Sequence, residues 1–298
     1  MRLYLKPAVP SDAKSIDALL TDHSRAHTGR GSPTGVAKAR LRTPGTVSAI
    51  VAAADRRAIG FGHVWRDGEV ARCLVVARPD VWGGRPIVAA LVSFAERRAV
   101  SVGAGTLKVH SNATDSVLGD VLASTSFEPV TRISRMRVDL ASRPTSVAPP
   151  PGVDVGRFDE ERDSGEIYAV AHEVFPEGNN EPAWWRDHRE NPLRPYDPAL
   201  WIVARRDGRI VGFALGSRRM EDGGPVGYLG GFGVRESERG HGIGQALLVA
   251  MMDAFIDRGF PAMTLSVSTG NRTGALSLYR KFGMTEAPES TEWMKRLG

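Results

Sequence analysis

The feature that most constrains this chain is a run of alternate glycines, Arg239-Gly-His-Gly-Ile-Gly244, set between two apolar stretches of different period. Before it, Tyr228 to Val234 is apolar and glycine-rich, as a buried strand is; after it, Leu247, Leu248, Met251, Met252 and Phe255 recur at helical spacing. Strand, loop and helix in that order leave the first N–H groups of the helix, and the positive end of its dipole, facing whatever occupies the loop. Gly240, Gly242 and Gly244 permit positive φ and close backbone approach, and Arg239 adds charge suited to a phosphate. The ligand implied is a pyrophosphate. A dinucleotide fold needs G-x-G-x-x-G and an acidic residue ending the next strand; the spacing here differs, and Ala262 to Ser268 ends without a carboxylate. A kinase-type phosphate loop is excluded too, because no Lys-Ser or Lys-Thr follows the glycines.

A chain of 298 residues has room for two ordinary domains. The clearest boundary is residues 141–152, where Pro149, Pro150 and Pro151 forbid helix and favour an extended spacer. This predicts domains over 1–140 and 153–298. Comparison of the halves reveals a weak repeat: Asp55-Arg-Arg-Ala-Ile-Gly-Phe61 answers Asp207-Gly-Arg-Ile-Val-Gly-Phe213, each the second arm of a hairpin. The apolar helix from Val88 to Ala95 likewise answers Gln245 to Met252. One α/β fold duplicated in tandem is the expectation.

Cys73, the only cysteine, lies in an apolar run, which excludes an intrachain disulfide or a cysteine zinc cluster. His172 and His188 lack metal-ligand partners at a useful spacing, so no metal is expected. No stretch reaches bilayer-spanning length and Met1 to Pro10 is not signal-like, so a cytoplasmic protein with no membrane partner is expected. Residues 1–145 carry 21 Lys or Arg against 12 Asp or Glu, a formal +9, whereas residues 146–298 carry 18 against 22, a formal −4. That split suits either scattered solvated arginines or a platform for an anionic partner.

After the strand from Ala262 to Ser268 come Asn271-Arg-Thr-Gly-Ala275, a helix with Leu276, Leu278 and Tyr279, and Phe282-Gly283-Met284. With Arg239, Gly242 and Gly244, this ordered pair of motifs resembles the GNAT N-acetyltransferase superfamily, well over residues 153–298 and weakly over 1–140. The resemblance implies two tandem GNAT-like domains, each a mixed, mostly antiparallel sheet flanked by helices, the tandem arrangement being similar to that of mycothiol synthases. It implies acetyl-CoA or another acyl-CoA as co-substrate. The CoA pyrophosphate would lie on the amides of Arg239, Gly240, His241, Gly242, Ile243 and Gly244, the pantetheine along Phe232, Gly233 and Val234, with Asn271 nearby. Tyr279 becomes the acid that protonates the departing thiolate. In the first half Trp82, Arg85, Ile87 and Leu122 stand for Arg239, Gly242, Gly244 and Tyr279, so that copy reads as degenerate.

The general base stays open. Tyr228 stands where mycothiol synthases carry a fourth-strand glutamate and is a candidate proton relay. The segment from Phe175 to Trp185 falls where the superfamily builds its acceptor pocket, which makes Glu177 a candidate base and Glu181 and Trp184 candidate acceptor contacts; a solvated loop is the alternative. The leading function is acyl transfer to a small-molecule primary amine. Two others are transfer involving a tRNA-borne group on the basic half and a CoA-binding sensor without turnover. Oligomeric state is not legible.

Overall fold

The computed structural model describes residues 4–29, 31–32, 35–52, 57–78, 84–176, 180–191, 194–221, 224–270 and 274–298. The chain divides into two compact units: Met1–Ser134 with Ser268–Gly270 and Pro288–Gly298, and Arg135–Val267 with Asn271–Ala287. The first runs β1 (Tyr4–Pro7), α1 (Ala13–Thr28), α2 (Val36–Arg42), β2 (Val47–Ala52), β3 (Ala58–Asp67), β4 (Val70–Ala77), α3 (Gly84–Ser101), β5 (Thr106–Asn112), α4 (Ser116–Ser124) and the start of β6 (Glu128–Asp139). The second takes the end of β6, then β7 (Val153–Arg157), α5 (Glu160–Val174), α6 (Glu181–Arg189), β8 (Trp201–Arg206), β9 (Arg209–Glu221), β10 (Gly224–Val234), α7 (Ile243–Asp257), β11 (Ala262–Ser268), α8 (Ala275–Lys281) and the start of β12 (Thr285–Arg296).

Both units follow one plan. In the first, β1 to β4 pair antiparallel in chain order and β4 lies parallel to β5. In the second, β7 to β10 pair antiparallel and β10 lies parallel to β11. The repeated Gly-Phe has a packing cause. A Cβ on Gly60 would stand 2.6 Å from Ile87 of α3, and one on Gly212 would stand 3.0 Å from Leu247 of α7, so each glycine lets a helix close onto its sheet. The adjacent Phe61 and Phe213 are buried on the opposite face, since successive strand residues alternate sides.

The predicted periodicities become buried faces. Ile16, Leu19 and Leu20 of α1, Ile167, Val170 and Ala171 of α5, and Leu247, Leu248, Met251, Met252 and Phe255 of α7 are all buried. Cys73 is a buried free thiol whose pKa burial pushes up to about 12, the behaviour of a core residue. Among the described residues no helix is long and apolar enough to cross a membrane.

The two units do not divide where the proline run does. Residues 290–296 of β12 pair with β5, Trp293 packs on the core of the first unit, and its Nε1–H donates to Ser111 Oγ at 2.9 Å. Met136 and Leu140, placed in the first domain by the 1–140 boundary, are buried in the core of the second, where the Leu140 N–H donates to Pro261 C=O at 2.8 Å. Each unit therefore takes a terminal strand from the other half of the chain. Alternating strands fit either sheet equally well, which is why a boundary read from prolines misses the exchange.

Candidate active site

The glycine loop takes the geometry its sequence requires. Gly240 and Gly242 have φ of +82° and +88°, and Gly242 is the N-cap of α7. Gly242 is not a glycine for lack of room, because a Cβ there would meet only Pro150 at 3.9 Å; the left-handed backbone selects it. The Gly242 carbonyl accepts from the Gln245 and Ala246 N–H groups. Among the described residues the N–H groups of Gly240, His241, Gly242, Ile243 and Gly244 meet no acceptor. Arg239 is exposed, with Nε–H donating to Val234 C=O at 3.0 Å, which holds the guanidinium at the loop mouth. His241 is exposed, Ile243 is buried under the loop, and a Cβ added to Gly244 would meet Leu278 and Phe232 at ordinary contact distance. These free amides, the dipole of a helix of 15 residues and one guanidinium fit a pyrophosphate.

Upstream, β10 separates from its parallel neighbour. Pairing with β11 covers Gly227–Met263 and Tyr228–Thr264, whereas pairing with β9 continues to Val234–Gly212. From Leu229 to Val234 one edge of β10 is left without its parallel partner. Gly230 is the extra residue of a bulge, falling between the Leu229–Gly216 and Gly231–Leu215 pairs. An edge of this kind offers backbone N–H and C=O groups to an extended amide-bearing ligand, along Phe232, Gly233 and Val234. Tyr279 reaches the same place from α8: it is buried, and its ring centroid lies 6.0 Å from that of Phe232. Burial raises its phenol above the ordinary tyrosine pKa, so the group keeps its proton at neutral pH.

A pocket opens on the other side of the bulge, lined by Asp187, His188, Arg194, Tyr196, Trp201 and Gly230 among others. Its wall is aromatic: Trp201 lies 5.1 Å from Tyr196 and 6.0 Å from Trp185 by centroids. His188, which has no metal-ligand partner at a useful spacing in the sequence, lines this pocket. Its Nδ1 is 2.8 Å from the Trp184 carbonyl, which fixes the proton on Nδ1 and leaves Nε2 as a lone pair. Burial, chiefly, lowers its pKa, so the ring is neutral. A histidine in a short helix gives no sequence signal of this; the i, i+4 spacing from Trp184 is the one hint.

The remaining predicted residues fall as follows. Trp184 makes a tilted ring contact with His188, centroids 4.2 Å apart, and is not among the residues lining the pocket. Glu181 is exposed at the first turn of α6 and is not among the pocket residues. Tyr228 stands at the point of strand separation with Arg219 4.9 Å and Arg194 6.0 Å from its ring. Glu177, Asn271 and Trp82 lie outside the described residues. In the first unit Ile87 is buried against Gly60.

Comparison with known proteins agrees with this geometry. Residues 165–284 match the model of the acetyltransferase (GNAT) family. A mycothiol acetyltransferase of Thermomonospora curvata is 31% identical over 184 residues, covering 61% of this chain and 61% of the relative, so the match spans about three fifths of its length. Another, of Streptomyces avermitilis, is 26% identical over 298 residues, covering 96% of this chain and 92% of the relative. Among solved structures, a GCN5-related N-acetyltransferase from Sphaerobacter thermophilus superposes with a TM-score of 0.83 at 25% identity over 99% of this chain and 96% of that one. A tandem GNAT protein from the clavulanic acid biosynthesis pathway does so with a TM-score of 0.75 at 16% identity, covering 100% and 99%.

Proposed function

We propose that the second unit, whose residues 165–284 match the GNAT acetyltransferase family model, transfers an acyl group, acetyl in the first instance, from acyl-CoA to a small-molecule primary amine. The observation that carries this reading is the convergence on β10 of the free amides at the start of α7, the unpaired strand edge and Tyr279.

The loop amides and Arg239 bind the CoA pyrophosphate, and the β10 edge holds the pantetheine so that the thioester lies at the Gly230 bulge. There a backbone N–H near Phe232 stabilises the oxygen that becomes an oxyanion when the amine attacks. The acceptor enters from the aromatic pocket, where the Asp187 carboxylate attracts its charged form. His188 Nε2 takes the proton that the ammonium loses before attack, directly or through a water, passes it to solvent, and then takes the proton that the nitrogen of the tetrahedral adduct loses, replacing Glu177 and Tyr228 as the favoured base. As the tetrahedral centre collapses, the C–S bond breaks and the Tyr279 hydroxyl gives its proton to the thiolate. Solvent then restores the proton to Tyr279 and removes one from His188.

The names of the relatives favour a small amine over a tRNA-borne substrate and put mycothiol chemistry on the list of acceptors to try. The test is CoA thiol release from acetyl-CoA against a panel of primary amines. Release with at least one amine supports the reading; tight CoA binding without release from any amine would favour a sensor.

A further inference from the structure

Three ligand-type side chains converge in the first unit, away from the acyl-transfer residues. His23 and His27 stand one turn apart on the same face of α1, and Asp115 is the N-cap of α4. Their ligand atoms all lie within 4.8 Å of one another. Nε2 of His23 is 3.6 Å and Nε2 of His27 is 4.0 Å from Asp115 Oδ2. His23 and Asp115 are buried, and His27 is half-buried.

The other atoms of these groups are committed elsewhere. Nδ1 of His23 is 3.1 Å from the Ala77 carbonyl, which only accepts, so Nδ1 carries the proton. Nδ1 of His27 is 3.0 Å from Thr114 Oγ1, whose own hydrogen goes to the His27 carbonyl at 3.0 Å; that Nδ1 is also the donor. Asp115 Oδ1 accepts the Leu118 N–H at 3.0 Å, so Oδ2 is the oxygen left for the histidines. Two imidazole lone pairs and one carboxylate oxygen thus face a common, largely buried point. Among the described residues no Lys or Arg pairs with Asp115. The Asn112 Nδ2–H, 3.1 Å from His23 Nε2, offsets part of the repulsion within this set, and a cation between its members would remove the rest.

We infer that His23 Nε2, His27 Nε2 and Asp115 Oδ2 bind a divalent transition-metal ion of the zinc type. Two imidazoles with one carboxylate suit zinc better than magnesium or calcium, which prefer oxygen throughout. Donation of Nδ1–H to a carbonyl and to a hydroxyl is the outer support that orients histidine ligands. The separations exceed the roughly 3.3 Å edge of a tetrahedron with zinc bonds of about 2.0 Å, so the site closes as the ion binds, mainly through His27, the least buried of the three. Asn112 supplies a fourth position: its Nδ2 is 3.1 Å from His23 Nε2, and a half-turn of the amide presents Oδ1 instead. His23 and Asn112 also line a cavity of the same unit, which gives the ion a route in and space for a water. Bound there, the ion ties α1 to the start of α4.

The experiment uses the untagged full chain, stripped with chelator and dialysed against Zn²⁺, with metal content by mass spectrometry and melting temperature as readouts. One zinc per chain and a higher melting temperature are expected. Replacement by Co²⁺ should give the visible absorption of a tetrahedral nitrogen–oxygen site. His27→Gln and Asp115→Asn should each weaken Zn²⁺ binding on the order of 10²-fold. Asp115→Asn keeps an oxygen for the Leu118 N–H, and His27→Gln changes the least buried of the three side chains, so His27→Gln decides alone if the other variant does not fold. No stoichiometric zinc, or zinc held equally by the variants, overturns the inference.

Discussion

The Trp184 carbonyl accepts the Nδ1–H of His188 at 2.8 Å, one helical turn away, and so leaves Nε2 as the free nitrogen of a neutral imidazole that lines the pocket beside Gly230. The same two side chains are in ring contact at 4.2 Å, which limits rotation of the imidazole. His188→Gln should lower kcat on the order of 10²-fold, the low end for loss of a general base, without changing CoA affinity. Because burial lowers the His188 pKa, the wild-type rate should fall only as pH drops below the ordinary histidine range, and the variant should lose that limb. A variant with the wild-type pH profile would mean that another group takes the proton.

Tyr279→Phe removes the buried hydroxyl and leaves the ring packed against Phe232. The expected loss in kcat is on the order of 10²-fold with CoA affinity unchanged. An unaltered rate, measured with an acceptor whose chemistry limits turnover, would assign Tyr279 to the core alone.

Gly242→Ala puts a Cβ into open space but onto a backbone with φ of +88°. The strain of a left-handed non-glycine residue, about 1–3 kcal/mol, should appear as roughly tenfold or greater weakening of CoA binding by calorimetry. Equal affinity in the variant would show that the loop is not the phosphate site.

Glu181→Gln should leave the Michaelis constant for a cationic amine unchanged, since Glu181 is exposed and outside the pocket. Asp187→Asn should raise that constant several-fold while CoA binding holds. Steady-state kinetics on the two variants would distinguish the pocket carboxylate from the one in the first turn of α6, and the reverse pattern would move the acceptor to the other end of α6.

Glu292 fastens the C-terminal strand to the first unit through His110 at 3.1 Å and Lys108 at 2.9 Å. The hydrogen bond from His110, then that from Lys108, hold its pKa down to about 2 against the opposing effect of burial. A carboxylate with a depressed folded pKa adds stability that is complete above its unfolded value near 4.5 and is lost as pH falls toward 2. Unfolding in urea at a series of pH values should show about 2 kcal/mol of this dependence, and Glu292→Gln should remove it. Persistence of the full dependence in the variant would place the acid sensitivity elsewhere.

Much of the second unit was legible because its signals are local. Alternate glycines set φ within the loop itself, and a 3.6-residue period is a property of one helix read alone, so the phosphate loop and α7 follow from neighbours in sequence. The Gly-Phe repeat carried more, since the need for a glycine under a crossing helix recurs wherever the same sheet meets the same helix. Long-range choices were not written this way. Whether β12 completes one sheet or another depends on Trp293 finding Ser111 and Glu292 finding Lys108, contacts across nearly two hundred residues that an alternating strand does not announce. His188 became a base candidate only when the fold buried it beside the bulge at Gly230, and His23, His27 and Asp115 became a cluster only when α1 was packed against the start of α4. Composition supplies the groups, but their ionisation, tautomer and company are set by burial and distance, which exist only in the folded chain.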